Sequence, residues 1–117
     1  MPKQALGVIY YSLWKPTLSA SQKTRLPERK TMILITYDLN KTGQNYSKLH
    51  NAIKSLGAAW WHRLDSTWLV KTRLSTDQVT TQLKPHIDDN DWLLVMEVKP
   101  STAHGWLAQE DWNWIKP

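Results

Sequence analysis

The sequence predicts an α+β domain in which two helices pack on one face of an antiparallel sheet. Three observations point there: a β-forming run apolar on both sides at Met32–Tyr37, two helical periods that each lie between strand-like runs, and a closing strand-like run at Trp92–Val98. At 117 residues the chain has the length of one ordinary domain. Hydrophobic residues make up 41% and charged residues 21%, which is globular usage, so the domain can bury a core. Eight tryptophans and no phenylalanine make indole the main source of aromatic volume. Cysteine is absent, which excludes disulfide and thiolate chemistry and fits a reducing, cytoplasmic compartment.

The elements follow in order. Met32-Ile33-Leu34-Ile35-Thr36-Tyr37 has the two-sided apolarity of a central strand and ends at Asp38. Tyr46, Leu49, Ala52, Ile53 and Leu56 recur at helical spacing, with Gly57 as the stop. Ala58–Leu64 and Thr67–Thr72 are β-forming runs joined by Asp65-Ser66, which predicts a hairpin. Ser75-Thr76-Asp77-Gln78 is a capping-box pattern, so a second helix carries Val79 and Leu83 on one face and stops near Pro85. In the last strand Trp92, Leu94, Met96 and Val98 point one way while Leu93 and Val95 point the other. Both of its faces call for burial. Two helices cover only one side of the sheet, so the other needs the Trp-rich C-terminal segment or a second copy of the chain.

Residues 1–31 read differently from residues 32–117. Ala5–Trp14 is apolar and aromatic, but Leu18–Lys30 shows no sustained period, so 1–31 is predicted to be a basic extension and 32–117 the folding domain. A secretory signal is disfavoured by Tyr10, Tyr11 and Trp14 in a short apolar run and by Leu18 ahead of a cut after Ala20. No stretch approaches the length of a membrane span. The net charge of +5 resides in the extension, where six basic side chains face Glu28 alone. The rest is neutral but polarised: residues 39–84 are basic and residues 85–117 acidic. Such a body can draw a phosphate backbone to one side, or simply solvate two helices.

Three stretches carry a family resemblance: Met32-Ile33-Leu34-Ile35-Thr36-Tyr37-Asp38-Leu39-Asn40, then Leu83-Lys84-Pro85-His86-Ile87-Asp88-Asp89-Asn90-Asp91, then Gly105-Trp106-Leu107 with Trp112 and Trp114. Together they resemble the SinR-type small proteins, which are similar to the small CRISPR adaptation subunit and the VapD-type ribonucleases. The resemblance spans residues 32–115 and implies a ferredoxin-like βαββαβ fold, a homodimer and nucleic-acid chemistry. In the CRISPR relatives an aspartate ending the first strand, just after a tyrosine, is the metal ligand, and Tyr37-Asp38 matches that placement. The resemblance therefore implies Asp38 as the catalytic, Mg²⁺-holding residue, with a second Asp38 supplied across a dimer axis, because one carboxylate cannot cage magnesium. Asp38 ending a strand and opening a turn with Asn40 is the plainer alternative.

Tyr37, Asn40, Lys41 and Arg63 are the candidate nucleic-acid contacts, and Trp92, Trp106, Trp112 and Trp114 the candidate dimer contacts. Trp60 and Trp61 are adjacent, so in a strand one faces the core and the other lies exposed or in an interface. Asp88, Asp89 and Asp91 lack the Gly and distal Glu of a calcium loop and read as a solvated turn. His50, His62, His86 and His104 have no ligand spacing and receive no chemistry. Two functions follow: a metal-dependent endonuclease acting on RNA rather than DNA, or a non-catalytic dimeric adaptor binding a protein or nucleic acid.

Overall fold

The computed structural model describes residues 30–40 and 46–117; Lys41 and almost all of the 1–31 extension lie outside them. Strand β1 (Thr31–Asp38) buries Ile33, Ile35 and Tyr37 on one face. Helix α1 (Ser47–Lys54) presents Leu49 and Ile53 to that face, and Leu56 packs into the same core from the turn that follows. Strands β2 (Ala59–Leu64) and β3 (Thr67–Thr72) form the hairpin, and helix α2 (Thr76–Leu83) adds Val79 and Leu83. Strand β4 (Trp92–Val98) and a third helix, α3 (Gln109–Ile115), complete the described elements.

The sheet order is β2-β3-β1-β4 and every neighbouring pair is antiparallel. β1 and β2 therefore run parallel with β3 between them, and β3 and β4 run parallel with β1 between them. Ile33 lies beside Val70 and Glu97, Ile35 beside Trp68 and Val95, and Tyr37 beside Leu93, so one face gathers the core under α1 and α2. The two-sided reading holds for β1, whose Met32 is buried on the other face, but not for β4, where Leu93 and Val95 are partly buried on the helix side while Trp92, Leu94 and Met96 stay exposed.

Local chemistry explains the element ends. Ser75 Oγ accepts from Gln78 N at 3.1 Å and Gln78 Oε1 accepts from Ser75 N at 2.9 Å, which satisfies two donors at the start of α2. After α1 the chain passes so close to β3 that a Cβ on Gly57 would lie 2.1 Å from the Lys71 carbonyl oxygen. Only glycine fits there. Asp91 departs from the expected solvated turn, being 0% exposed. Its Oδ1 accepts from Asn40 N at 2.8 Å, its Oδ2 from Asp88 N at 2.8 Å, and Tyr46 Oη donates to both oxygens at 3.2 and 3.3 Å. One carboxylate thus ties the end of β1, the start of α1 and the loop before β4.

The opposite face is half covered. Trp61 points there and is buried, its Nε1–H donating to Asp111 of α3 at 3.0 Å, while Ile115 is buried at the end of that helix. Lys71 Nζ donates to the Trp114 carbonyl at 3.3 Å and lies 4.3 Å from the Trp114 ring. α3 therefore shields the β2 side. On the β4 side Trp92, Leu94 and Met96 stay exposed.

Candidate functional site

Asp38 is exposed at the last position of β1, beside Trp92 in the ladder and alternating with core-facing Tyr37. The alternation puts its carboxylate on the open face, at one end of the row formed by Trp92, Leu94 and Met96. Among the described residues no group of three His, Cys, Asp or Glu side chains is arranged to hold a metal ion. A single chain therefore offers one carboxylate, and Mg²⁺ would need a second copy, phosphate and water to complete its oxygen shell.

The other sequence candidates do not converge on Asp38. Tyr37 is buried on the helix face. Asn40 is committed to the loop, its Nδ2 donating to the Asn90 carbonyl at 2.6 Å. Arg63 pairs with α3, with Nε 3.2 Å from Asp111 and Nη2 2.9 Å from Glu110. The hydrogen bond to Asp111, above all, holds the guanidinium pKa above its ordinary value. Asp111 is held below the usual carboxylate range by the Trp61 indole N–H first, with Arg63 and the Ala108 N–H adding to it against the effect of burial. Trp106 is 99% exposed. Trp112 and Trp114 are half-buried, under Lys116 and Lys71 respectively.

A second constellation lies on the helix face at the β2 edge, around Trp60 and the histidines His50 and His62. Trp68 Nε1–H donates to Tyr37 Oη at 3.0 Å, and Tyr37 Oη lies 3.2 Å from His50 Nε2. The His62 ring stacks on Trp68 at 3.7 Å and 11°, and its Nε2 lies 2.8 Å from the Asp65 carbonyl oxygen. The centroids of His50 and His62 are 5.9 Å apart. Trp60 is 42% exposed, 5.3 Å from Trp68, and carries Lys54 Nζ 5.0 Å from its ring.

A carbonyl only accepts, so His62 Nε2 carries a proton. Tyr37 Oη accepts from Trp68 and lies within hydrogen-bond distance of His50 Nε2, as donor or acceptor according to the His50 tautomer. Burial, then the nearby His62 and Lys54, push the His50 pKa down, against an opposing pull from Asp65. Burial also pushes the Tyr37 phenol up. His50 and His62 are twelve positions apart on a helix and a strand, and the packing of α1 over Trp68 of β3 brings them together.

No family model, curated protein or solved structure matches the chain. Among the described residues no helix is long and apolar enough to cross a membrane.

Proposed function

We propose that this chain is a homodimeric, ferredoxin-like nucleic-acid-processing protein, a Mg²⁺-dependent endonuclease acting on RNA, of the kind its resemblance to the SinR-type proteins implies. The strand order supports the ferredoxin-like assignment, since both parallel pairs enclose one antiparallel strand as split βαβ units do. The observation that carries the functional reading is the position of Asp38: an exposed carboxylate at the end of the open face, beside the exposed apolar side chains of Trp92, Leu94 and Met96. An apolar row of this kind favours a self-complementary contact around a two-fold axis, which would bring two Asp38 carboxylates toward one another. A hard cation held by them would lower the pKa of a bound water and offset phosphate charge. The apolar row would keep bulk water from that carboxylate pair.

One observation favours the adaptor instead: no described acidic or imidazole cluster accompanies Asp38. Two measurements separate the readings. Sedimentation should show a dimer that the Leu94→Lys substitution converts to monomer. Cleavage of single-stranded RNA should require Mg²⁺ or Mn²⁺ and fall at least about a hundredfold in Asp38→Asn, because the amide cannot replace the charge that holds the cation. Equal cleavage by both proteins, or cleavage that survives chelation, overturns the Asp38 mechanism. Absence of cleavage by the wild type leaves the adaptor.

A further inference from the structure

We infer that the surface where α1 meets the β2 edge binds a single nucleic-acid strand, with a base stacked on Trp60 and the adjoining phosphate held by Lys54, His50 and His62. This inference shares with the Asp38 reading the premise that the chain meets nucleic acid, but it concerns the opposite face of the sheet and needs no metal.

The argument starts from Trp60. A large aromatic ring left 42% exposed at a sheet edge is a stacking platform, and Lys54 Nζ lies 5.0 Å from its centroid. An exposed lysine over an indole is a weaker contact than a stacked base, so a base can take its place and release the ammonium to the phosphate. The second feature is the imidazole pair. Each ring already has one nitrogen fixed by a protein group, His50 Nε2 by Tyr37 and His62 Nε2 by Asp65. The fixed nitrogens hold both rings half-exposed at the surface, and the described partners engage neither Nδ1.

The charges around the pair make an anion its natural complement. The groups facing His50 are Tyr37 from β1, Lys54 from its own helix, His62 from β2 and Asp65 from the hairpin turn. Among these described groups Asp65 alone is acidic, and it is exposed. Without a ligand, repulsion from the nearby His62 and Lys54 adds to burial in disfavouring a proton on His50. A phosphate removes that repulsion, so binding takes up protons and affinity rises as pH falls through the histidine range. Nucleic acid supplies a planar base and an adjacent phosphate on one flexible strand, which matches a ring and a cation cluster side by side. A duplex cannot present an unstacked base, so the ligand is single-stranded.

The experiment measures fluorescence anisotropy of labelled dodecauridylate and dodecathymidylate with the full chain at pH 7.5 and pH 5.5, in chelator and at low salt. Wild type should bind one or both strands and bind roughly tenfold tighter at the lower pH. Trp60→Ala should weaken binding about tenfold at both pH values. The chain carries two further described histidines, His86 and His104, so the decisive comparison is His62→Gln, which should lose most of the pH dependence. Lys54→Gln, a surface change that leaves the fold alone, should weaken binding at both pH values. A preference for dodecauridylate identifies the strand as RNA, and equal binding identifies any single strand. Absence of binding in chelator, or binding indifferent to Trp60, Lys54 and His62, overturns the inference. Loss of that binding in Asp38→Asn would move the strand to the open face and overturn it too, whereas loss of cleavage with binding retained bears only on the Asp38 mechanism.

Discussion

Replacing Asp91 by Ala tests whether this carboxylate is the knot of the fold or one member of a solvated acidic turn. In wild type, Asp91 accepts backbone N–H groups of Asn40 and Asp88, both at 2.8 Å, and the Tyr46 hydroxyl. Alanine leaves two backbone donors without their acceptor in a partly buried loop cluster. Each orphaned donor costs roughly 1–3 kcal/mol, and bonds to an ionised acceptor sit toward the upper end. The substitution should therefore cost about 3–5 kcal/mol, a large part of the roughly 5–15 kcal/mol that holds a typical domain folded. With a urea m-value near ~1 kcal/mol/M, the midpoint falls by about 3 M or more.

The milder Asp91→Asn keeps one acceptor oxygen but turns an amide N–H₂ toward the other donors, so it should cost about 1–3 kcal/mol and remain measurable if alanine does not fold. Equilibrium urea unfolding by far-ultraviolet circular dichroism reads both. An acid on a solvated turn changes stability by no more than about 0.5 kcal/mol, so a midpoint within that range for Asp91→Ala refutes the reasoning.

Gly57→Ala places a Cβ 2.1 Å from the Lys71 carbonyl oxygen, a backbone atom that cannot rotate away, and should cost about 2–3 kcal/mol or roughly 10 °C in Tm, read by thermal unfolding. The depressed His50 pKa gives stability a pH slope. The folded state resists a proton that the unfolded imidazole accepts near about pH 6.5, so stability is full above that pH and declines as pH falls below it. His50→Gln should flatten that slope in urea midpoints taken between pH 5 and pH 8, and an unchanged slope would assign it to other groups.

The strands, the capping box at Ser75 and the hairpin at Asp65-Ser66 were legible in the sequence because each is a local pattern, set by side-chain period or by bonds within four residues. Trp60 and Trp61 were legible as opposites, but which ring is buried depends on α3, some fifty residues away, whose Asp111 takes the Trp61 N–H. The same helix pairs Arg63 with Glu110 and Asp111, a partnership no spacing in the sequence displays. Asp91 looked like its neighbours Asp88 and Asp89 because burial of a carboxylate is decided by donors brought from Asn40 and Tyr46. The histidine pair was invisible for a similar reason. Spacing reveals ligands on one helix or one turn, and His50 and His62 meet through the packing of α1 on the sheet, where the Trp68 ring of β3 contacts both.

The fold also rearranges the charge pattern that the sequence displays. Of the six acids in residues 85–117, Asp91 is enclosed by loop donors, while Glu110 and Asp111 answer Arg63 on the open-face side of the sheet. On the helix-face side α1 exposes Lys48 and Lys54 and Lys84 follows α2, against Asp77 in the first turn of α2, Asp65 in the hairpin turn and Glu97 beside Ile33. One side of the sheet thus carries mixed charge and the exposed Trp60 ring, and the other is apolar with a carboxylate at its end. A two-fold contact through the apolar side would leave both Trp60 surfaces facing outward. Each dimer would then offer two strand sites around one buried pair of Asp38 residues, so a binding stoichiometry of two strands per dimer ties the two faces into a single functional unit.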